Sequence, residues 1–144
     1  MMLSRLWRCR RGVTAVEFAL VGPTLLLFTF GIIEAGLLFW VKGGLQSVAA
    51  LTARCAAIGY VSATTTCTNA TATQNYAISS ANTWIMPGVI TAANITLTSA
   101  AATCNTVAGK FFIVQITSTY LASGFLPAPF SSKNVTVTAC YAMA

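Results

Sequence analysis

The sequence predicts an α+β protein: one long N-terminal helix, half of it in a membrane and half packed on a small antiparallel sheet, with a short helix between them. Three observations lead there. Phe18 to Val41 is an apolar run broken by one charge, Glu34. Gly44 to Ile58 then carries apolar or small residues at helical spacing. Beyond residue 94, apolar and β-branched residues alternate with threonine in the manner of strands.

The first element, residues 1–12, is short, basic and free of acids, with Arg5, Arg8, Arg10 and Arg11. It reads as a leader excluded from the fold. Residues 13–42 form the membrane helix. At about 1.5 Å per residue the Phe18 to Val41 run is roughly 36 Å long, enough to cross a hydrocarbon layer of about 30 Å with some tilt. A soluble helix rarely stays apolar on all faces over such a length. The arginines before it place the N-terminus in the cytoplasm and carry residues 43–144 into the periplasm. Trp40 and Lys42 stand where the outer interface anchor belongs. A secretory signal peptide fits poorly, because the run is too long, Gly22-Pro23 interrupts it, and Glu17 sits where such a peptide is apolar. Pro23 cannot donate to the helix ladder and is expected to kink it.

The helix is expected to continue through Leu45, Val48, Ala49, Thr52, Cys55 and Ala56, presenting that face to the sheet. Val61 to Thr73, rich in serine and threonine, reads as a loop. Gln74 to Met86 fits a short amphipathic helix ended by Pro87-Gly88, with Trp84 expected in the core. Strands are expected around Ile95 and Leu97, over Phe111 to Tyr120, and around Val135 and Val137. Gly109 marks one turn, and Gly124 with Pro127 and Pro129 a longer one, which gives a three-stranded meander.

Composition narrows the function. The formal charge is +6, but four of the basic residues lie within Arg5 to Arg11. Lys42, Arg54, Lys110 and Lys133 against Glu17 and Glu34 leave no basic stripe for nucleic acid. The chain has no histidine, and its two acids both lie at or within the apolar stretch. Residues 43–144 therefore hold no side-chain carboxylate or imidazole, which removes most acid–base chemistry, the serine and cysteine triads, and oxygen- or nitrogen-ligand metal sites. Lys110 and Lys133 do not form an SxxK signature. The reading is a protein that is not an enzyme and carries no cofactor and no metal.

The chain has five cysteines. Cys9 lies in the leader, and Cys55, Cys67, Cys104 and Cys140 form an even set in a small exported domain, which suggests two disulfides. Buried free thiols are the alternative. Four cysteines allow three pairings. In a meander the first and third strands share a direction, so Cys104 and Cys140 come toward one end of the sheet, while Cys55 and Cys67 flank a short loop. That favours Cys55 with Cys67 and Cys104 with Cys140 without closing the other pairings. A thiol oxidoreductase is disfavoured, since only Arg54 beside Cys55 offers a nearby charge. The sequons at Asn69, Asn94 and Asn134 carry little weight in so threonine-rich a chain.

Gly12-Val13-Thr14-Ala15-Val16-Glu17-Phe18 looks like the processing site of type IV prepilins, with a glycine before the cut and a glutamate at the fifth residue after it. More closely, RRGVTAVEFALVGPTLLL, then FGIIEAG and ALTARCAAIG, resembles the TadE-like pseudopilins of tight-adherence (Flp) pilus systems, densely over residues 10–59 and weakly beyond. The departure is Thr14, which is not aliphatic. The resemblance implies a pilin-like fold and a structural or assembly role in pilus biogenesis. It also implies processing by a prepilin peptidase and partners among other pilins, pseudopilins and the inner-membrane platform, besides membrane lipid.

Gly12, Val13 and Glu17 would then be the processing residues, Gly12 because it lacks a Cβ and lets a protease approach. Glu17 and Glu34 are the assembly candidates. Glu17 lies one helical turn from the amine that cleavage would create at Val13. Glu34, about two turns before Trp40, is costly in a membrane. Either it contacts another subunit, helped by the small residues Gly31 and Ala35, or it reaches the outer interface unaided. The rival reading of the whole chain is an unprocessed, membrane-anchored envelope domain for binding or adhesion.

Overall fold

The computed structural model describes residues 13–59, 67–85, 87–104, 106–121 and 132–143. Within them lie helix α1 (Val13–Ile58), helix α2 (Ala70–Trp84), a 3-10 turn (Ala92–Asn94) and strands β1 (Ile95–Cys104), β2 (Val107–Leu121) and β3 (Ser132–Ala142). The order in the sheet is β1-β2-β3, with both pairs antiparallel. The chain divides into two compact units, Met1–Gly36 and Leu37–Ala144. The architecture is α+β, as the residue pattern predicts. Residues 1–12, 60–66 and 122–131, on which the expected leader and loops fall with Gly124, Pro127 and Pro129, lie outside the described residues.

In the first unit the helix is exposed almost throughout. Leu25, Leu26, Leu27 and Phe28 are all well exposed, and four successive residues point to all sides of a helix. No face of this stretch is therefore covered by the other described residues. It is long and apolar enough to cross a membrane, the one such helix among the described residues. Its hydroxyls are satisfied within the helix: Thr24 Oγ1 donates to the Leu20 carbonyl at 3.3 Å and Thr29 Oγ1 to the Leu25 carbonyl at 2.8 Å. Such internal bonds are what allow threonine to sit in an apolar medium. Pro23 lies inside the helix, which runs on past it.

In the second unit the same helix changes character. Val41, Leu45, Val48, Ala49, Thr52 and Ala53 are buried, a stripe at spacings of three and four that marks one face. They join one core with Ala77 and Ala81 of α2, Ile90, and Ile95, Val114, Ile116, Val135 and Val137 of the sheet. On β2 and β3 the buried residues alternate: Val114, Ile116 and Ser118, then Val135 and Val137. The opposite face carries Thr117 beside Thr136 at 3.3 Å and Thr119 donating to Asn134 at 3.0 Å. This is the period of two that lets a sheet cover a core on one side only. Buried hydroxyls are paired: Thr52 Oγ1 donates to the Val48 carbonyl, and Ser118 Oγ to the Val89 carbonyl at 2.9 Å, which ties β2 to the segment after α2.

Gly44 is where α1 and the end of α2 meet. A Cβ built there would lie 2.7 Å from Ile85 Cγ1, whereas one at Gly43 would meet nothing within 4 Å. Both glycines lie inside a helix, where alanine is favoured by about 1 kcal/mol. Gly43→Ala should therefore stabilise the unit by about 0.5 to 1 kcal/mol, while Gly44→Ala should lose that gain to the displacement of Ile85. Thermal unfolding of the two variants beside the wild type measures the difference.

Three expectations are corrected. Helix α2 begins at Ala70 rather than Gln74, because Asn69 caps it: its Oδ1 accepts from the Ala72 N–H at 2.8 Å. β1 turns into β2 between Cys104 and Val107, with Thr106 at φ 75, and Gly109 is inside β2. Trp84 is 65% exposed and not in the core. The buried stripe of α2 steps by four through Thr73, Ala77 and Ala81 to half-buried Ile85. Each such step advances about 40° around the helix, which leaves Trp84 about 100° away from Ile85.

Candidate assembly segment

The structure joins Cys55 to Cys67, with Cα atoms 5.8 Å apart, and Cys104 to Cys140, at 6.3 Å. The first bridge closes the connection between α1 and α2. The second is less obvious, because Cys104 and Cys140 lie on the two strands that flank β2. Neighbouring strands are about 4.8 Å apart, so β1 and β3 in a flat sheet would be separated by about 10 Å, beyond the reach of a disulfide at about 7 Å. The register of β1 against β2 shifts between Thr98 and Ala101 and again before Thr103, with Ala100 at φ 54. Such bulges bend and twist a strand, and the bend brings the end of β1 across to β3.

The sequence-predicted processing and assembly residues all fall on or just before α1. Gly12 lies outside the described residues, and Val13 is the first residue of the helix. Glu17 is on the helix one turn later and is exposed. Glu34, by contrast, is buried, with 7% of its surface accessible. Gly31 and Gly36 on either side of it have nothing within 4 Å of where a Cβ would stand. A neighbouring helix could therefore approach the backbone closely at these two places. The two acids thus sit in different settings on one helix and are not brought together.

Among the described residues little else offers chemistry. Among the described residues no group of three or more His, Cys, Asp or Glu is gathered as metal ligands would be. A half-open cavity of about 290 Å³ lies beside the Cys55–Cys67 bridge, with Ala56, Asn69, Thr73, Leu97 and Phe112 in its wall. It is at the small end for a ligand site and has no charged side chain in its lining. Nothing in the sequence pattern pointed to it, because its walls come from four separate segments.

In the first unit α1 carries an exposed apolar stretch, and in the second unit its continuation packs into the core of a domain with two disulfides. Comparison with known proteins agrees with this arrangement. No curated protein and no solved structure matches the chain. One family model does, described as TadE-like protein, and its match covers residues 12–54. It begins at Gly12, spans the candidate membrane segment and ends on the stretch of α1 that is buried against the sheet. Over residues 12–54, from the glycine before the helix to the domain-facing turns, the chain is similar to TadE-like proteins.

Proposed function

We propose that the protein is a pseudopilin of a tight-adherence (Flp, type IVb) pilus system, cut between Gly12 and Val13 by a prepilin peptidase, and that it acts structurally in pilus biogenesis. The observation that carries this reading is the single helix with two faces of use. From Phe18 to Leu37 most of its apolar side chains are left exposed by the other described residues, and from Leu38 to Ala53 one face of it joins the domain core. A subunit built in this way can rest in the inner membrane, N-terminus in the cytoplasm and domain in the periplasm, and can exchange lipid for neighbouring helices without unfolding its domain. Other pilins, pseudopilins and the platform proteins of the inner membrane are the partners that fit.

The acids are then assembly contacts. Cleavage leaves an amine at Val13, positive at neutral pH, and Glu17 stands one turn on with its side chain exposed. In a low-dielectric setting the pair, within one chain or between neighbours, compensates two charges that are each costly alone. Glu34 is buried and marks a second contact region, where the open ground at Gly31 and Gly36 on either side admits a neighbouring helix.

Two substitutions separate processing from assembly. Gly12→Leu should leave the chain full length, because a side chain at the cut site obstructs the peptidase. Glu17→Ala should still begin at Val13 but lose most of its co-recovery with partner subunits, on the order of tenfold if the pair contributes about 1.4 kcal/mol. N-terminal sequencing and affinity recovery from membranes measure the two effects. Unchanged co-recovery of Glu17→Ala would count against the role given to Glu17.

A further inference from the structure

We propose that Trp84, together with Trp40, rests in the headgroup layer of the membrane, so that the C-terminal end of α2 docks the domain on the lipid surface. A single exposed apolar residue means little by itself. Its position decides the matter here. Ile85 packs where Gly44 leaves room on α1, and Trp84 is its neighbour in the chain. Trp40 lies one turn before Gly44 on nearly the same side of the helix, and it is 67% exposed. The end of α2 is thereby held at the level where the apolar run of α1 gives way to Lys42 and Gly43.

The core itself reaches this level. Val41 is buried, and Leu38, Ile85 and Val89 pack against the same cluster. If the apolar run is embedded up to Trp40, the segments that cover Val41 have no room to stand clear of the bilayer. A tryptophan presented there, with an apolar ring and one N–H donor, has the chemistry of the headgroup boundary. Charge does not oppose the contact, since residues 37–144 contain no carboxylate side chain and do contain Lys42, Arg54, Lys110 and Lys133. The occupant is lipid and not a second subunit, because Trp84 adjoins Ile85, which meets α1 at Gly44, four residues past Trp40 at the end of the apolar run.

This inference rests on the membrane placement of α1, and the test reports on the two separately. Three tryptophans are present. The full chain is prepared with Trp7→Phe and Trp40→Phe, which leaves Trp84, and with Trp7→Phe and Trp84→Phe, which leaves Trp40. Each is inserted into phosphatidylcholine vesicles and into the same vesicles carrying bromine on the acyl carbons nearest the headgroup. Trp84 emission should fall roughly twofold in the brominated vesicles, as should that of Trp40, since both sit at the interface. Loss of quenching at Trp84 alone would overturn the inference, whether the ring is open to acrylamide or shielded from it by protein. Loss at both would overturn the membrane placement as well. Replacing Trp84 by phenylalanine leaves the core intact, because its side chain is outside it.

Discussion

Leu45→Ala should lower the unfolding free energy of the C-terminal unit by about 2 to 5 kcal/mol, the range for removing a fully buried leucine side chain. Leu45 has no accessible surface and lies at the centre of the buried stripe of α1, among the residues of the single core. Its loss removes transfer energy and leaves a cavity that helix and sheet cannot both close. Small domains are stable by about 5 to 15 kcal/mol, so the change consumes a large share of the total. Leu51, on the same helix but 41% exposed, provides the control. Leu51→Ala carries the same small helix-propensity change and should cost well under half as much. Thermal unfolding of the full chain in mild detergent, followed by near-ultraviolet circular dichroism, checks both. Equal effects at the two positions would contradict the assignment of the buried face.

The paired substitution Cys104→Ser with Cys140→Ser should destabilise the unit by about 4 kcal/mol, from the chain entropy of a loop of that length. The bridge spans a sequence separation of 36, against 12 for Cys55–Cys67. Loss of the shorter bridge should cost about 3 kcal/mol by the same account. The long bridge also holds the bent end of β1 over the sheet, past the register shifts at Thr98 and Ala101. Its removal should accordingly raise amide exchange first at Ala101 to Cys104, where few of the side chains are buried. The measurement is unfolding of each paired variant beside the wild type, together with peptide mapping without reduction. Variants as stable as the parent would contradict the stapling role.

How much of this was legible in the sequence follows from the range of the forces involved. The continuation of α1 into the domain was readable because its buried face repeats at Leu45, Val48, Ala49 and Thr52, a local pattern. The meander was readable from alternation at Ile95, Leu97, Val135 and Val137. The α2 start is signalled only by Asn69, a favoured cap residue, and the threonine-rich stretch around it masks that single position. Gly109 is the turn signal in the sequence because glycine is the usual left-handed residue, yet Thr106 adopts that conformation here. Trp84 falls on the expected apolar face with Tyr76, Ile78, Ala81 and Ile85, yet the slow rotation of a stripe stepping by four leaves it outside the core. The bend that lets Cys104 reach Cys140 depends on bulges in β1, which the sequence of that strand does not announce. The acids were found on the helix as the sequence placed them, but the contrast between exposed Glu17 and buried Glu34 appears only in three dimensions.

The central claim is that this chain is a processed pilus subunit rather than a fixed membrane anchor, and the intact mass of the protein recovered from its native membrane tests it most directly. The account predicts a chain that begins at Val13, lacking residues 1–12 and retaining both disulfides. A protein that retains Met1 and the arginines up to Arg11 would contradict it, and would favour an unprocessed, membrane-anchored domain.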